Sequence, residues 1–261
     1  MLAIALTIAG SDPSGGAGLQ ADLKTFHQFG VYGEAVVTLV TVQNTDTVSR
    51  VEIMAADLVR EQISAVLSDM PPHAAKTGAL GSAAVVEAVA EMSQHFLFPL
   101  VVDPVMISKH GSRLISIEAE ESLKKKLLPH CLLVTPNIPE AETLSGLSIR
   151  GESDMEEAAK RIAALGARAV LIKGGHMEGV PVDLLYSETG VQRYAGERVA
   201  SRHTHGTGCT YSAAITAGLA QSLSLEGAVA RAKRFVQAAI ESAPGLGGGN
   251  GPVNHFAVVE P

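Results

Sequence analysis

A glycine-rich segment late in the chain combines a possible anion-binding turn with a nucleophilic side chain. Residues 206–210 are Gly-Thr-Gly-Cys-Thr, and the ten small or apolar residues that follow are typical of a packed helix. The first N–H groups of a helix lack intrahelical acceptors and its dipole makes that end partly positive, so Gly206, Thr207 and Gly208 could cradle a phosphate. The same field is expected to lower the pKa of the Cys209 thiol. An anion cradle beside a candidate base indicates phosphoryl transfer to a small alcohol.

The elements that must position this segment follow a βαβ order. Short apolar runs predict strands at residues 3–9, 35–42, 74–77, 100–103, 132–135 and 169–173. Amphipathic segments predict helices at residues 16–29, 56–68, 82–94, 117–127, 154–165, 210–221 and 225–242. Residues 183–186 and 191–194 flank a turn and predict an antiparallel hairpin. We therefore expect an α/β fold with a mostly parallel central sheet and helices on both faces, forming a single domain over residues 1–261.

Polar residues follow the predicted strands, where ligands gather in a parallel sheet. Each segment alone could be a turn or a helix cap. Together they predict one cleft, with the polar strand ends at 10–12, 43–44, 76–78, 103–104, 135–137 and 173–176.

Composition limits the classes of function. A net charge of −7 and the absence of any long basic block argue against a nucleic-acid surface. Apolar runs are too short for a membrane span, and the apolar N-terminus lacks the basic residues of a signal peptide. Two cysteines without a CxxC spacing predict a reducing, cytoplasmic setting.

A second function class has to be considered because Gly16, Gly18 and Ala21 match a dinucleotide-binding fingerprint. That match favours an oxidoreductase. However, the second strand ends in Gln43-Asn44, where the motif requires an acidic residue for the ribose. No Walker phosphate loop occurs either, so phosphate binding would depend on residues 206–209.

Four further side chains are candidate ligand or metal contacts, and three of them also have a structural interpretation. Asp22 is either an ordinary acid on a helix face or a cleft residue that binds a ring substituent. Gln43 ends a very apolar strand, and its amide can donate and accept at once, which suits a heteroaromatic ring edge. Asn137 and Glu140 either cap a helix or hold Mg²⁺ through oxygen and water contacts.

These motifs, in this order, resemble those of the hydroxymethylpyrimidine and phosphomethylpyrimidine kinases, members of the ribokinase-like superfamily. The resemblance runs almost end to end. It is carried by residues 5–18, 20–24, 32–33, 76–78, 103–106, 135–137, 140–141, 173–176, 204–210 and 251–255. It implies a ribokinase-like three-layer sandwich, ATP, Mg²⁺ and transfer of the γ-phosphoryl group to a pyrimidine hydroxymethyl group and then to the resulting monophosphate. It also implies a homodimer acting on a small molecule, with no nucleic-acid or membrane partner.

The resemblance also implies roles for individual residues. Cys209 occupies the base position that many ribokinase-like sugar kinases fill with aspartate, beside an anion hole formed by Gly206, Thr207 and Gly208. By this resemblance, the pyrimidine is bound by Gln43, Asp22 and Gly10, and the nucleotide is bound by Lys173 and Thr204. Mg²⁺ and phosphate are bound by Asn137 and Glu140. Lys109, in a variable loop, either touches the second phosphate or nothing.

Three alternatives remain open from the sequence. A pyridoxine or pyridoxal kinase has the same fold and a similar ring substrate, whereas an oxidoreductase would use the first glycine-rich loop. A catalytically silent ligand-binding protein is disfavoured because residues 206–209 are intact.

Overall fold

The computed structural model describes residues 2–106, 115–177 and 179–258. The strands are β1 (Ile4–Ser11), β2 (Tyr32–Gln43), β3 (Val48–Ile53), β4 (Ala74–Thr77), β5 (Leu100–Val102), β6 (Leu133–Val134), β7 (Ala169–Ile172), β8 (Val182–Ser187) and β9 (Gly190–Ala195). They form one sheet in the order β3-β2-β1-β4-β5-β6-β7-β8-β9. Strands β1, β2 and β4 to β7 are parallel, and β3, β8 and β9 are antiparallel additions at the two edges. The predicted parallel sheet and its hairpin are confirmed.

Helices cover both faces of the sheet. They are α1 (Gly18–Gln28), α2 (Ala56–Asp69), α3 (Ala83–Ser93), α4 (Ile117–Ser122), α5 (Ile138–Ser145), α6 (Glu152–Ala163), α7 (Thr207–Ala220) and α8 (Leu225–Glu241). Helices α2 to α6 pack on one face, and α1, α7 and α8 pack on the other. Each face of the sheet has its own hydrophobic core. Along β1, Leu6 and Ile8 pack against α2 to α6, and Ala5 packs against α1, α7 and α8, because successive side chains of a strand point to opposite faces. The result is the predicted three-layer α/β sandwich.

Helix α7 is buried on nearly all sides because its residues are small. A Cβ on Gly218 would lie 2.9 Å from the Cβ of Ala228, so α7 packs closely against α8. Helix α7 begins at Thr207 rather than at the predicted residue 210. This earlier start places Cys209 inside the first helical turn.

Strand β3 was not predicted from the sequence. Its residues are mostly exposed or half-buried, and Arg50 and Glu52 form an ion pair on its surface. An edge strand with charged side chains lacks the apolar run that marks a buried strand. None of the helices in the described part of the chain is long and apolar enough to span a bilayer.

Candidate active site

The carboxyl ends of the parallel strands open into a cleft of about 690 Å³. As predicted, polar residues that follow the strands form its wall. The strand-end residues that line it are Ser11, Asp12, Gln43, Gly78, Asp103, Asn137 and Lys173. Residues 204–209, which lead into α7, line the same cleft. The topology therefore brings most of the sequence-predicted site residues together.

The start of α7 has the geometry of an anion site. Gly206 precedes the helix with a left-handed φ of 77°, and a Cβ there would lie 1.7 Å from the carbonyl oxygen of Gly16. Only glycine fits this position. The N–H groups of Gly208 and Cys209 lie in the first turn, which has no acceptors within the helix. A Cβ on Gly208 would lie 3.2 Å from Lys173 Nζ, so an ammonium group stands beside these backbone donors.

Cys209 lines the cleft and is half-buried. Burial raises the pKa of its thiol to about 12, and the Lys76 ammonium opposes this rise only in part. The predicted lowering of the Cys209 pKa is therefore wrong. Removing the sulfur from water destabilises the thiolate more than the nearby positive charge stabilises it. In the ligand-free protein the thiol is protonated at neutral pH.

Lys173 is held beside the anion site by an acidic partner. Its Nζ donates to Asp103 Oδ1 at 3.1 Å, and Ser212 Oγ donates to the other oxygen of Asp103 at 3.2 Å. Burial alone would lower the pKa of Lys173, but the carboxylates of Asp103 and Glu140 raise it above its ordinary value. The ammonium charge is thus maintained inside the cleft, where it can meet a second anion.

Asn137 and Glu140 form a complete capping box at the start of α5. Asn137 Oδ1 accepts from the backbone N–H of Glu140 at 3.0 Å, and Glu140 Oε2 accepts from that of Asn137 at 2.9 Å. Both residues therefore cap α5, and a role in binding Mg²⁺ stays a prediction. Glu140 is buried, which raises its pKa, and its other oxygen accepts from the backbone N–H of Met106 at 3.3 Å.

Gln43 lies beside a hydrogen-bonded pair, Asp12 and His205, at the opposite end of the cleft from Lys173. His205 Nε2 lies 2.7 Å from Asp12 Oδ2 and 3.2 Å from Gln43 Nε2. Burial opposes ionisation of Asp12, but hydrogen bonds from His205 and Ser14 lower its pKa, so it is a carboxylate that requires a donor. A ring nitrogen that donates to Asp12 cannot also accept from Gln43. The amide hydrogens of Gln43 are therefore available to a ligand in the cleft, which Gly10 also lines.

Asp22 does not face the cleft, and the prediction that it does is wrong. Its side chain is fully buried, with both oxygens 2.8 Å from Lys76 Nζ. Thr7 Oγ1 donates to the same carboxylate at 2.6 Å. The helix-face position was correctly identified, but Asp22 faces a buried lysine that lies 54 residues further along the chain.

The first glycine-rich loop has a packing role that explains its resemblance to a dinucleotide fingerprint. A Cβ on Gly18 would lie 2.2 Å from the carbonyl oxygen of Gly10, and Gly18 has a φ of 56°. Asp12 Oδ2 accepts the backbone N–H of Ala17 at 2.9 Å and so folds the loop back on itself. These glycines allow the loop to approach β1 and Gly206 closely.

Sequence reasoning did not assign several residues that the structure places in the site. The sequence patterns single out neither His205 nor Ser212. His205 directly precedes Gly206, and this position could have indicated that it belongs to the site. Thr204 lines the cleft as expected, and its carbonyl oxygen accepts the hydroxyl of Thr207 at 2.7 Å. Lys109 lies outside the described residues.

Comparison with known proteins is consistent with this site. Residues 12–254 match the model of the phosphomethylpyrimidine kinase family. A hydroxymethylpyrimidine/phosphomethylpyrimidine kinase of Staphylococcus aureus is 45% identical, with 98% of this chain and 95% of that protein covered. The thiamine biosynthesis bifunctional protein ThiED of Geobacter sulfurreducens is 49% identical over 98% of this chain, which spans only 52% of that longer protein.

A solved structure has a closely similar fold. Pyridoxal kinase from Staphylococcus aureus, in complex with ADP, superposes with a TM-score of 0.91 at 38% identity, covering 98% of this chain and 94% of that one. Fold, cleft and sequence similarity agree, and the chain belongs to the phosphomethylpyrimidine kinase family.

Proposed function

We propose that this chain transfers the γ-phosphoryl group of ATP to 4-amino-5-hydroxymethyl-2-methylpyrimidine and then to its monophosphate, a step of thiamin biosynthesis. One observation carries the proposal: the first turn of α7, with Lys173 beside Gly208, places backbone donors, an ammonium group and the Cys209 thiol in one cleft. The names of the similar proteins supply the substrate class.

ATP is assigned to the end of the cleft that holds Lys173 and Thr204. The similar pyridoxal kinase was solved with ADP, which supports a nucleotide in this fold. An apolar wall that includes Val199, Val236 and Ile240 lines the cleft, and such surface suits a nucleotide base. Lys173 and the N–H groups of residues 206–209 then stabilise negative charge on the transferred phosphoryl group.

Mg²⁺ is assigned to the neighbourhood of Asn137 and Glu140. Among the described residues, no three acidic, His or Cys side chains form a closed metal-binding group. A partly hydrated Mg²⁺ needs only one or two carboxylates in addition to phosphate oxygens. Glu140 and Asp103, whose charges interact, fit that requirement. When bound, the ion neutralises charge on the phosphate oxygens.

The pyrimidine is assigned to the end of the cleft that contains Gln43 and Gly10. The Gln43 amide offers N–H groups toward the ligand, and a ring nitrogen with an exocyclic amine presents a complementary donor–acceptor edge. Asp22 does not belong to this end of the cleft because its side chain is fully buried.

Cys209 is assigned as the acceptor of the hydroxyl proton. A neutral thiol cannot accept that proton, so the reacting form is the thiolate. With a pKa of about 12, this thiolate is a strong base but is scarce at neutral pH. Phosphoryl transfer passes through a loose transition state, so positioning in the cleft supplies most of the rate increase.

A second candidate function is phosphorylation of pyridoxine or pyridoxal. The observation that favours it is the TM-score of 0.91 with a pyridoxal kinase. Both substrate classes are methylated heteroaromatic rings that carry a hydroxymethyl group. The two candidates therefore share the fold and the mechanism, and differ at the ring-binding end of the cleft.

The cellular setting and assembly also belong to the proposal. We infer a cytoplasmic enzyme of one domain, supported by two free cysteines and a family match over most of the chain. A homodimer is supported by the family resemblance and by exposed apolar residues on the β2–β3 edge, Val40, Val42 and Ile53. Light scattering coupled to gel filtration measures the assembly.

The decisive experiment measures ADP release with MgATP and each of four alcohols: hydroxymethylpyrimidine, its monophosphate, pyridoxine and pyridoxal. Turnover of both pyrimidines with little on the B₆ vitamers is expected. Preference for pyridoxal would overturn the substrate assignment and retain the mechanism. Failure to turn over any of the four would reject the kinase proposal.

A further inference from the structure

The glycine-rich segment near the carboxyl terminus contacts the loop that follows Gln43. The backbone N–H of Asn250 donates to the carbonyl oxygen of Thr45 at 2.7 Å, and that of Gly249 donates to Thr45 Oγ1 at 3.3 Å. A Cβ on Gly249 would lie 2.1 Å from the Thr45 carbonyl oxygen, so the two backbones touch. Thr45 is two residues from Gln43, so this contact fixes the end of β2.

The same segment also contacts the residue that leads into the anion site. The backbone N–H of His205 donates to the carbonyl oxygen of Gly251 at 3.0 Å, and that of Val253 donates to the carbonyl oxygen of His205 at 3.3 Å. Together these bonds form a short parallel bridge between His205 and Pro252. Gly251 is buried, and a Cβ there would lie 2.3 Å from His203 Nδ1.

We propose that residues 249–253, the clamp segment, set the distance between the ring-binding Gln43 and the anion-binding turn of α7. The two contacts link the loop after β2, at Thr45, to His205, which directly precedes the anion-binding turn. Side-chain contacts complete the arrangement, since His205 in turn meets both Asp12 and Gln43. The alcohol is thereby held at a defined distance from the phosphoryl group. This inference rests on the proposed function for its substrate.

Two adjacent glycines provide a matched test. A Cβ on Gly248 would meet nothing within 4 Å, whereas a Cβ on Gly249 would collide with Thr45, and neither residue has a positive φ. Gly249→Ala must therefore displace the loop that follows Gln43. Gly248→Ala adds the same methyl group and the same loss of backbone freedom without a collision. Gly248 lies outside the clamp segment.

Steady-state kinetics of both variants distinguish an effect on substrate positioning from a general loss of activity. Gly249→Ala is expected to lower kcat/KM for the pyrimidine on the order of tenfold or more, because a shift of about 1 Å is costly to a reacting geometry. KM for ATP should stay unchanged, and Gly248→Ala should match the parent enzyme. The clamp would be overturned by an equal loss of kcat/KM in both variants or by unchanged kinetics in Gly249→Ala. A parallel rise in the KM for ATP would also overturn it.

Hydrogen–deuterium exchange gives a readout that does not depend on turnover. Gly249→Ala should speed exchange in peptides covering residues 43–47 and 203–208, with peptides of β5 to β7 unchanged. Exchange equal to that of the parent protein at both sites would reject the clamp. If these local changes occur while the parent protein phosphorylates no pyrimidine, the proposed function fails and the clamp stands.

Discussion

At the scale of single residues, Cys209 lies at a helix start, yet burial raises the pKa of its thiol to about 12. Gly206 and Cys209 lie three residues apart in the sequence, and their placement at a helix start follows from local pattern alone. Ionisation of Cys209 depends instead on how much protein covers the sulfur and on Lys76, which lies on strand β4. No local pattern contains that information. The direction of the pKa shift was therefore wrong although the residue was correctly placed in the cleft.

The raised thiol pKa predicts the pH dependence of catalysis. Because a thiol with a pKa of about 12 is almost fully protonated at neutral pH, the thiolate fraction should increase about tenfold for each pH unit. The profile of kcat/KM, which reports ionisations of the free enzyme, should rise from pH 6 to 9. Cys209→Ala should lower kcat by about 10²–10⁴ and flatten the profile. A Cys209→Ala enzyme with near-normal kcat and unchanged KM would show that this thiol is not the base.

At the scale of elements, the regular pattern of the chain predicted most of the sheet and its helices. Strand β7 is apolar and fully buried, so its composition alone predicts a strand, whereas β4 is fully buried although it contains Lys76 and Thr77. Strand β3 was not predicted, because an edge strand does not need an apolar run. The Asp22–Lys76 ion pair was not predicted for another reason. It joins α1 to β4 through the core, and sequence spacing carries no signal for such a contact.

This pair predicts a specific pattern of stability. Lys76→Met leaves a buried carboxylate without its cation and should lower the free energy of unfolding by about 3–5 kcal/mol. The double variant Asp22→Asn with Lys76→Met removes both charges and should recover much of that loss, since Thr7 can still donate to the amide oxygen. Urea unfolding of the parent, the single and the double variant measures both effects. A double variant as unstable as Lys76→Met would mean that the lysine acts by packing rather than by charge.

At the scale of the whole molecule, one cleft crosses the carboxyl edge of the sheet and has two chemically different ends. Gln43, Asp12 and His205 form the hydrogen-bonding end, and Lys173 with an apolar wall forms the other. Strand order creates this arrangement, because β1 and β2 lie on one side of β4 and β5 to β7 on the other. Helix α7, packed under the sheet, supplies the anion-binding turn between the two ends. The sequence predicted the cleft as a whole, but not the division between its two ends.

The division of the cleft predicts which ligands stabilise the folded chain. MgATP at about 100 times its Kd should raise the free energy of unfolding by about 2.7 kcal/mol. For a chain of this size that corresponds to a rise in Tm of roughly 5–10 °C. NADH should give no rise, because the glycines of the first loop pack against Gly10 and Gly206 rather than leaving room for a pyrophosphate. Lys173→Ala serves as the matched control and should lose most of the MgATP effect, since the ammonium beside Gly208 is the charge assigned to the phosphates. Protection by NADH but not by MgATP would return the oxidoreductase interpretation, and equal protection of the Lys173→Ala variant would place the nucleotide away from the start of α7.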